Sequence, residues 1–478
     1  APGAHAQLPT LGYGSEMGSA TERRLGEKIA RELYRDPDYI DDPVLVDYVQ
    51  GIWQPLLQAA RARGELTSEL DERFAWQVLL GRDRSVNAFA VPGGWLGLHL
   101  GLVSVTVTRD ELASVLAHEL SHVTQRHIAR LVGQEKMQAP LVLGAMILGA
   151  LAASRSPDAA NAVIAGGQAV AARNQLSFSR DMEREADRVG YGILVQAGFE
   201  PQGFVTMFEK LQQASRLNDS GSFPYLRTHP MNTERIADVQ ARQQLASRDR
   251  PVAASVALEH ALMAARARAL SANGIDALRA IAGEAAGSLA GAAPTRRAAV
   301  HYAGAIAALR MRDFEGAATF TQRLGADVQA DPGATRLARL LDAEVAIAAG
   351  RAERAAGLLR GSATERAEVM LWSQARLATG GAAEVTQRLQ SWVALQPRDA
   401  TGWQLLAASY AAQGQQLRAL RAEAEARVAH LDYGAALDRF RAAQELARRG
   451  GGDHIEASII DTRARQVQSL LREQSLER

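Results

Sequence analysis

The segment HELSH places two histidines and one glutamate where they could act together in metal chemistry. His118 and His122 are four residues apart, so on a helix their imidazoles project from the same face, about one turn from each other. Two imidazoles at that spacing suit a tetrahedral zinc ion. Glu119 lies a further ~100° around the helix, close enough to act on a water molecule without being a ligand. The segment therefore predicts a zinc site with a carboxylate base beside it, against the alternative of a neutral pair of helix histidines.

His127 is a further histidine in the same stretch of sequence. It lies nine residues after His118, which on a continuous helix is roughly 180° away. We therefore expect His127 to point away from the metal and to be a surface or packing histidine.

A catalytic zinc ion takes three protein ligands and keeps one position open, so a third ligand must come from elsewhere in the chain. The best candidate lies in SRDMEREADRVG, where Glu183 and Asp187 share one helical face. We expect Glu183 to bind the metal and Asp187 to accept the other ring N–H of a ligating histidine. Glu185 is the rival ligand, although it points away from Asp187. Acidic residues in a first helical turn also complement the helix dipole, which is the alternative interpretation.

The helix that carries HELSH is preceded by a capping signal and by short strands. TRDE provides Thr108 as an N-cap and Glu111 three residues later, which together form a capping box. Ahead of it, FAWQVLL, VNAFAV and WLGLHLGLV are apolar and separated by GRDRS and PGG, and so predict a small antiparallel sheet. The edge of VNAFAV could accept an extended substrate as an additional strand, in contact with Asn87 and Ala88. A sheet edge that merely packs is the alternative for either residue.

Composition restricts both the partners and the metal ligands. Lys+Arg number 54 against 53 Asp+Glu, so the net charge of +1 gives no field that would steer the chain onto phosphates. We therefore expect no nucleic-acid partner. Cysteine is absent, which excludes disulfides, thiol catalysis and thiolate metal sites and leaves His, Asp and Glu as ligands. Such ligands suit several divalent metals, of which we predict zinc, one ion per chain.

Three regions of the 478-residue chain differ in pattern, as its length leads us to expect. Residues 1–20 predict an extended N-terminal segment, and residues 21–250 predict the metal-binding domain. Residues 251–478 are rich in Ala, Leu and Arg and predict a helical domain. The fold class predicted from these regions is α+β, mostly α.

The helical region contains recurring helix–turn–helix units. Gly350, Gly380 and Gly414 mark turns that are 30 and 34 residues apart, close to the ~34 residues of a tetratricopeptide repeat. The pattern predicts a tetratricopeptide-repeat solenoid, which would offer a concave surface for protein binding. An unrelated α-solenoid or a helical bundle is the alternative.

One apolar stretch bears on the question of membrane contact. Residues 139–153, APLVLGAMILGALAA, number 15, fewer than the ~20 residues that a spanning helix needs. Together with residues 161–175 they predict an apolar helical hairpin over 139–175. The hairpin either packs against protein, which we favour, or touches a bilayer surface. The opening APGAHAQLPTLGYG is typical of a chain after signal-peptide removal and predicts export, although an engineered truncation would look the same.

HELSH, the later EREAD, NAFAVPGG in the strands and THP further on resemble the gluzincin peptidases of family M48. The export-like start and the repeat-like tail are similar to the periplasmic branch of that family. The resemblance implies a zincin-like fold, zinc bound by His118, His122 and Glu183, and Glu119 as the catalytic base. It also implies a role in outer-membrane β-barrel assembly, with the repeats binding the assembly machinery.

A further histidine lies in the Pro-containing loop RTHPMNTER. His229 follows Glu183 by 46 residues (229 − 183). We hypothesise that His229 approaches the metal, where it either stabilises the tetrahedral oxyanion or occupies the open position and holds the enzyme latent. A histidine that caps or packs a loop is the alternative. Arg235 is a weaker oxyanion candidate.

Two functions from different classes follow. The first is a zinc endopeptidase of the bacterial periplasm that degrades misfolded or stalled outer-membrane proteins recruited by the repeats. A peripheral position at a membrane is compatible with this function. The second is a chaperone or adaptor for outer-membrane protein assembly whose zinc site is latent or structural. Glu119 favours the first, because a structural site has no need of a base beside its metal.

Overall fold

The computed structural model describes most of the chain, namely residues 17–134, 179–216, 222–246, 253–359, 364–449 and 453–475. The predicted hairpin over 139–175, the predicted boundary at residue 250 and most of the predicted N-terminal segment lie outside these residues. Within them, 22 helices and three strands confirm an α+β fold that is mostly helical.

The described residues before 247 form ten helices and all three strands. Their bounds are α1 (Ser19–Arg35), α2 (Pro43–Ala62), α3 (Ser68–Arg73), β1 (Gln77–Gly81), β2 (Ala88–Val91), β3 (Trp95–His99), α4 (Leu100–Val105), α5 (Arg109–Thr124), α6 (His127–Gln134), α7 (Arg180–Gln196), α8 (Gln202–Arg216), α9 (Tyr225–Thr228) and α10 (Thr233–Ala246).

The three strands form one small sheet in the order β1-β3-β2. β2 and β3 are an antiparallel hairpin whose turn contains Gly93 and Gly94, both at positive φ (75° and 89°), where a side chain would be strained. β1 pairs with β3 in parallel, so the expected sheet exists but is mixed rather than fully antiparallel. The difference arises because residues 82–87 carry the chain past the position of β3 before the hairpin returns it. β2 is left as an outer strand.

Helix α5, which carries HELSH, is the most deeply buried helix of this part. The Thr108 hydroxyl accepts a hydrogen bond from the Glu111 N–H at 3.1 Å, which confirms the predicted N-cap. The Glu111 carboxylate accepts from Val107 N–H and from Lys210 Nζ, both at 2.7 Å. Every residue of α5 from Asp110 onward is buried, and α5 packs against α2, α7, α8 and β2. The predicted N-cap and this burial therefore hold the site helix inside the core.

The described residues after 252 are helical throughout. Their bounds are α11 (Ala254–Ser271), α12 (Gly274–Ala286), α13 (Pro294–Arg310), α14 (Phe314–Val328), α15 (Pro332–Ala348), α16 (Ala352–Leu358), α17 (Arg366–Ala378), α18 (Ala382–Leu395), α19 (Ala400–Ala412), α20 (Gln416–Ala429), α21 (Tyr433–Arg449) and α22 (His454–Ser475). Gly350, Gly380 and Gly414 lie in inter-helix turns at φ of 75°, 83° and 72°, as the turn prediction requires. The tetratricopeptide assignment stays a prediction.

The helical region and the sheet-containing region share one hydrophobic core. A single cluster of buried side chains runs from Val44 on α2 to Ala426 on α20. Beside it, Arg266 of α11 binds both carboxylate oxygens of Asp42, the N-cap of α2, at 2.8 and 2.7 Å. The same guanidinium donates to Glu344 at 2.8 Å. We call the contact between these two regions the junction, and Arg266, Asp42 and Glu344 the junction cluster.

None of the helices in the described ranges combines the length and the apolar character needed to cross a membrane.

Candidate metal centre

Four buried side chains converge in the core, and we call them the ligand cluster. Each of His118, His122, Glu183 and His229 offers one ligand atom, and the four atoms lie within 4.8 Å of one another. His118 Nε2 is 3.0 Å from His122 Nε2 and 3.3 Å from His229 Nδ1. His229 Nδ1 in turn lies 2.9 Å from Glu183 Oε1. The structure thus brings together the three predicted ligands and the histidine of the predicted loop.

Three elements deliver these groups. His118 and His122 project from α5 and Glu183 from α7, whose N-cap Ser179 accepts a hydrogen bond from the Met182 N–H at 3.2 Å. The two helices approach closely at Gly190, where an added Cβ would stand only 3.1 Å from the Ala117 carbonyl oxygen. This glycine lets α7 lie near enough to α5 for its carboxylate to reach the histidines.

His229 arrives from the short helix α9, which is tied to the sheet. The Tyr225 N–H donates to the Val86 carbonyl at 3.3 Å, and the His229 N–H donates to the Tyr225 carbonyl at 2.9 Å. The Tyr225 and His229 rings stack with centroids 4.5 Å apart. Tyr225 is therefore a neighbour of the site that was not predicted from the sequence. The only indication in the sequence was its position four residues before His229.

Glu119 is fully buried beside the ligand cluster, and neither of its carboxylate oxygens makes a hydrogen bond of good geometry, although the Tyr225 side chain lies near enough to lower its pKa. The Nε2 atom of His229 lies 3.4 Å from Glu119 Oε1. Burial raises the pKa of Glu119, and the neighbouring His229 and His118 oppose that rise only in part. A carboxylate with a raised pKa and open lone pairs is well suited to take up a proton.

Glu183 is perturbed in the opposite direction. Its burial alone would raise its pKa, but the charge of His229 and hydrogen bonds from the three histidines outweigh burial and hold that pKa well below the usual range. Arg235 adds to this effect, because its Nη1 lies 2.7 Å from Glu183 Oε2. Glu183 is thus held ionised, as a ligand must be, while Glu119 is poised as a base.

Asp187 and Arg235 lie behind the ligand cluster. His118 Nδ1 is 3.0 Å from Asp187 Oδ1, which is the position predicted for Asp187. Arg235 donates to both oxygens of Asp187 at 2.7 Å and to the Pro230 carbonyl at 2.9 Å. The guanidinium therefore faces carboxylates, and the geometry lends no support to the oxyanion role predicted for Arg235.

The prediction for His127 was wrong in its direction. Helix α5 ends at Thr124, Arg126 adopts a left-handed conformation (φ 54°), and His127 begins α6. The nine-residue count around one continuous helix therefore does not apply. His127 is buried, with its Nδ1 2.8 Å from His122 Nδ1 and its Nε2 3.0 Å from Glu185 Oε2. Glu185, the rival ligand, lies outside the ligand cluster.

Asn87 and Ala88 lie at the start of the outer strand. The Asn87 carbonyl accepts from the His99 N–H at 3.0 Å, so its main chain faces β3. Because strand residues alternate, the N–H and C=O of Ala88 point away from the sheet. The main chain of Val86 points to the same side as that of Ala88, and it forms hydrogen bonds with Ser222 and Tyr225, shortly before His229 in the sequence. The outer side of β2 thus leads toward the site, and Asn87 and Ala88 are both buried there.

The chemistry of the donor set fits a metal ion. Facing imidazole nitrogens 3.0 Å apart can share a proton, but His229 Nε2 comes no closer than 3.4 Å to Glu119 Oε1, and both Glu119 oxygens are left without a hydrogen bond. Three imidazole nitrogens and one carboxylate oxygen match the ligands that zinc and similar divalent ions take in proteins.

Comparison with known proteins agrees with this geometry. Residues 56–243 match peptidase family M48, a range that contains every residue of the ligand cluster. The β-barrel assembly-enhancing protease of Escherichia coli (strain K12) is 30% identical over 87% of this chain and 83% of its own length. A putative β-barrel assembly-enhancing protease of Vibrio cholerae is 34% identical, over 49% of this chain and 47% of its own length. The mitochondrial metalloendopeptidase OMA1 of Arabidopsis thaliana is 33% identical over 35% of this chain and 32% of its length. With its HELSH helix, converging ligand cluster and these matches, the chain belongs to the metalloproteases of peptidase family M48.

Proposed function

We propose that the chain is a zinc-dependent endopeptidase of the bacterial periplasm that degrades misfolded or stalled outer-membrane proteins. The observation that carries the proposal is Glu119, a buried carboxylate with two unpartnered oxygens beside four converging ligand groups. A site that only held a metal for folding would have no use for such a group, since burying it unpaired is costly.

The roles of the side chains follow from their positions. His118, His122 and Glu183 would hold the zinc ion. When bound, zinc supplies a Lewis acid that polarises the scissile carbonyl and acidifies water. Glu119 accepts the proton of the attacking water and delivers it to the leaving amine, for which a raised pKa is favourable. Asp187 orients His118, and Arg235 holds Glu183 and Asp187 in place.

With zinc bound, His229 would occupy the remaining position in the conformation described. Its Nδ1 lies among the ligand atoms and its Nε2 faces Glu119, so both the fourth coordination position and the base are covered. This arrangement supports a latent resting enzyme in which His229 must withdraw before substrate binds. The alternative role, stabilising the oxyanion, requires the same residue to stay close during the reaction. His229→Ala separates the two, because it raises basal peptide cleavage in the first case and lowers it in the second.

An extended substrate would bind along the free edge of β2. The main chain of Ala88 points away from β3 and Asn87 lies beside it, but both residues are buried, so a polypeptide could add there as a further strand only once the groups that cover Ala88 have moved. Such pairing reads main chain rather than side chains, which suits unfolded β-rich proteins as substrates. The names of the bacterial relatives, β-barrel assembly-enhancing proteases, support outer-membrane proteins as that class. The helices after residue 252 would recruit substrate or the β-barrel assembly machinery.

Glu119→Gln tests the proposal. The purified chain, the variant and a matched control, Glu209→Gln on the exposed face of α8, are compared for zinc content and for cleavage of an unfolded outer-membrane β-barrel protein. We expect all three to bind zinc. Cleavage by the Glu119→Gln variant is expected to fall by about 10²–10⁴-fold, the usual contribution of a general base.

The other outcomes are also informative. If Glu119→Gln cleaves as fast as the control, the assignment of the base is wrong. If no variant cleaves although all bind zinc and substrate, the chain acts as a chaperone or adaptor with a latent or structural site, and only His229→Ala could then release activity.

A further inference from the structure

The two ligating histidines of α5 are supported from behind by different kinds of group. The Nδ1 atom of His118 faces a carboxylate directly, at 3.0 Å from Asp187. The Nδ1 atom of His122 instead faces another imidazole, at 2.8 Å from His127 Nδ1. A carboxylate, Glu185, follows only at the far side of that second ring, 3.0 Å from His127 Nε2. His118 is therefore connected to a carboxylate directly, whereas His122 is connected to one through a second histidine.

A metal bound to His122 would determine where each proton lies in this series of hydrogen bonds. His122 turns its Nε2 toward the ligand cluster, 3.4 Å from Glu183 Oε1, so a metal would need that nitrogen unprotonated. The proton of His122 then sits on Nδ1 and is donated to His127 Nδ1, which must accept it. The proton of His127 consequently sits on its Nε2 and is donated to Glu185. Arg130 Nη1, 2.7 Å from the same Glu185 oxygen, keeps that carboxylate ionised as an acceptor.

We propose that His127 is a positioning residue of the metal centre, which fixes the tautomer and the orientation of His122 and is itself oriented by Glu185 and Arg130. The inference rests on the proposed metal-dependent function. His127 would thus orient His122 as Asp187 orients His118. Arg130 would hold Glu185 as Arg235 holds Asp187. The His127 imidazole is suited to its role because it accepts on one side and donates on the other.

The backbone is arranged to bring His127 to this place. Arg126 breaks the helix with a positive φ of 54°, a conformation that non-glycine residues rarely adopt. Its guanidinium donates to the buried Glu22 of α1 at 2.9 Å and to the Met17 carbonyl. A sparsely populated backbone conformation persists only where its surroundings hold it, and here they hold the turn that directs His127 back onto His122.

The test compares His127→Leu, which keeps bulk but can neither accept nor donate, with His127→Gln, which can do both. Zinc affinity is measured by competition with a chromophoric chelator, and the free energy of unfolding of the zinc-free protein is measured alongside. We expect His127→Leu to weaken zinc binding about 10–100-fold, as loss of a group that orients a ligand does, and His127→Gln to restore most of it. Asp187→Asn provides the reference for a direct carboxylate support.

Histidine ring ¹⁵N spectra of the zinc-loaded, unaltered chain give a second readout that needs no altered residue to fold. We expect His122 protonated at Nδ1 and His127 protonated at Nε2. Zinc binding by His127→Leu as tight as in the unaltered chain, or a His127 ring protonated at Nδ1, would overturn the inference while leaving the peptidase assignment standing. If the unaltered chain itself binds no zinc, the proposed function and the inference fail together.

Discussion

At the junction a permanently charged guanidinium holds its carboxylates, whereas at the metal centre three imidazoles and a carboxylate converge on one another beside Glu119. Arg266 binds both oxygens of Asp42 and one oxygen of Glu344, all at 2.7–2.8 Å. In the centre, by contrast, two imidazole nitrogens face each other at 3.0 Å and Glu119 has no hydrogen-bond partner. Arg266 is as buried as the groups of the metal centre, so burial of the central charged group does not distinguish the two sites.

The difference separates a site that stabilises the fold from a site that is arranged to bind a metal ion. A guanidinium is permanently charged and binds carboxylates bidentately, so the pair of Arg266 with Asp42 is formed as soon as the chain folds. Imidazoles and carboxylates that point at one another instead leave room for a cation from outside. We therefore expect changes at the junction to alter the free energy of unfolding, and changes at the centre to alter metal affinity and activity.

The largest effect on stability is expected from Arg266→Met, which leaves Asp42 and Glu344 buried without their partner. Breaking a buried pair in this way costs about 3–5 kcal/mol of the free energy of unfolding. Urea unfolding measures the loss, and zinc affinity should not change. Arg268→Met is the matched control, because Arg268 is half exposed and its pair with Glu284 should contribute less than about 1 kcal/mol. Equal losses in the two variants would contradict the comparison.

Removing the metal should produce the next largest effect. Zinc at 100–1,000 times its dissociation constant adds about 3–4 kcal/mol to the free energy of unfolding, because only the folded chain offers the site. A chelator should remove this increment from the unaltered chain and from Arg266→Met alike, as thermal unfolding with and without zinc would show. His118→Ala should give no increment, and a zinc response of normal size in that variant would place the metal elsewhere.

A smaller effect is expected at the support of His118. Asp187→Asn keeps the shape of the side chain but weakens the acceptor facing His118 Nδ1, so zinc affinity should fall about 10–100-fold. Chelator competition measures it, and Asp181→Asn, an exposed position on the same helix, is the control. If Asp187→Asn binds zinc as tightly as the control, Asp187 contributes only to folding through Arg235.

The smallest effect concerns Asp47, a junction carboxylate with a raised pKa. Burial, opposed by a hydrogen bond from the Ala367 N–H and by Arg336, raises the pKa of Asp47 from 3.8 to about 6. Because the pKa is higher in the folded state, ionisation disfavours folding; the penalty grows as pH rises from about 4 to 6 and is complete above 6. The full shift corresponds to about 3 kcal/mol, which the partial exposure of the Asp47 side chain (23%) reduces, so Asp47→Asn should be about 1–2 kcal/mol more stable at pH 8 and no more stable at pH 4. Urea unfolding at both values checks this, with the exposed Asp276→Asn as control; a gain independent of pH would contradict it.

Helical periodicity was sufficient to predict which groups would meet at the metal. His118 with His122, and Glu183 with Asp187, each lie four residues apart on one helix, and those helices are continuous where the pattern assumed it. His127 was misplaced because the same rule was carried across Arg126, whose left-handed conformation no residue type in that stretch signals. Periodicity fails where a helix ends without a glycine or a proline.

Contacts between residues far apart in the chain could not be predicted from the sequence. The strands were predicted from their apolar runs, but the parallel register of β1 with β3 depends on which side of the sheet residues 82–87 pass, and that is decided by packing. The Arg266–Asp42 pair joins residues 224 positions apart, and no local pattern identifies such partners. Local rules thus account for most of the metal centre and for little of the junction.

The continuous core across the junction makes the molecule one cooperative unit. Separating the catalytic region from the helices after residue 252 would expose apolar side chains on both sides and leave Asp42 facing water without Arg266. We therefore expect a single calorimetric transition, and no stable fragment on cutting between the regions. Proteolytic removal of the helices after residue 252 is then unsuited to switching this protease on.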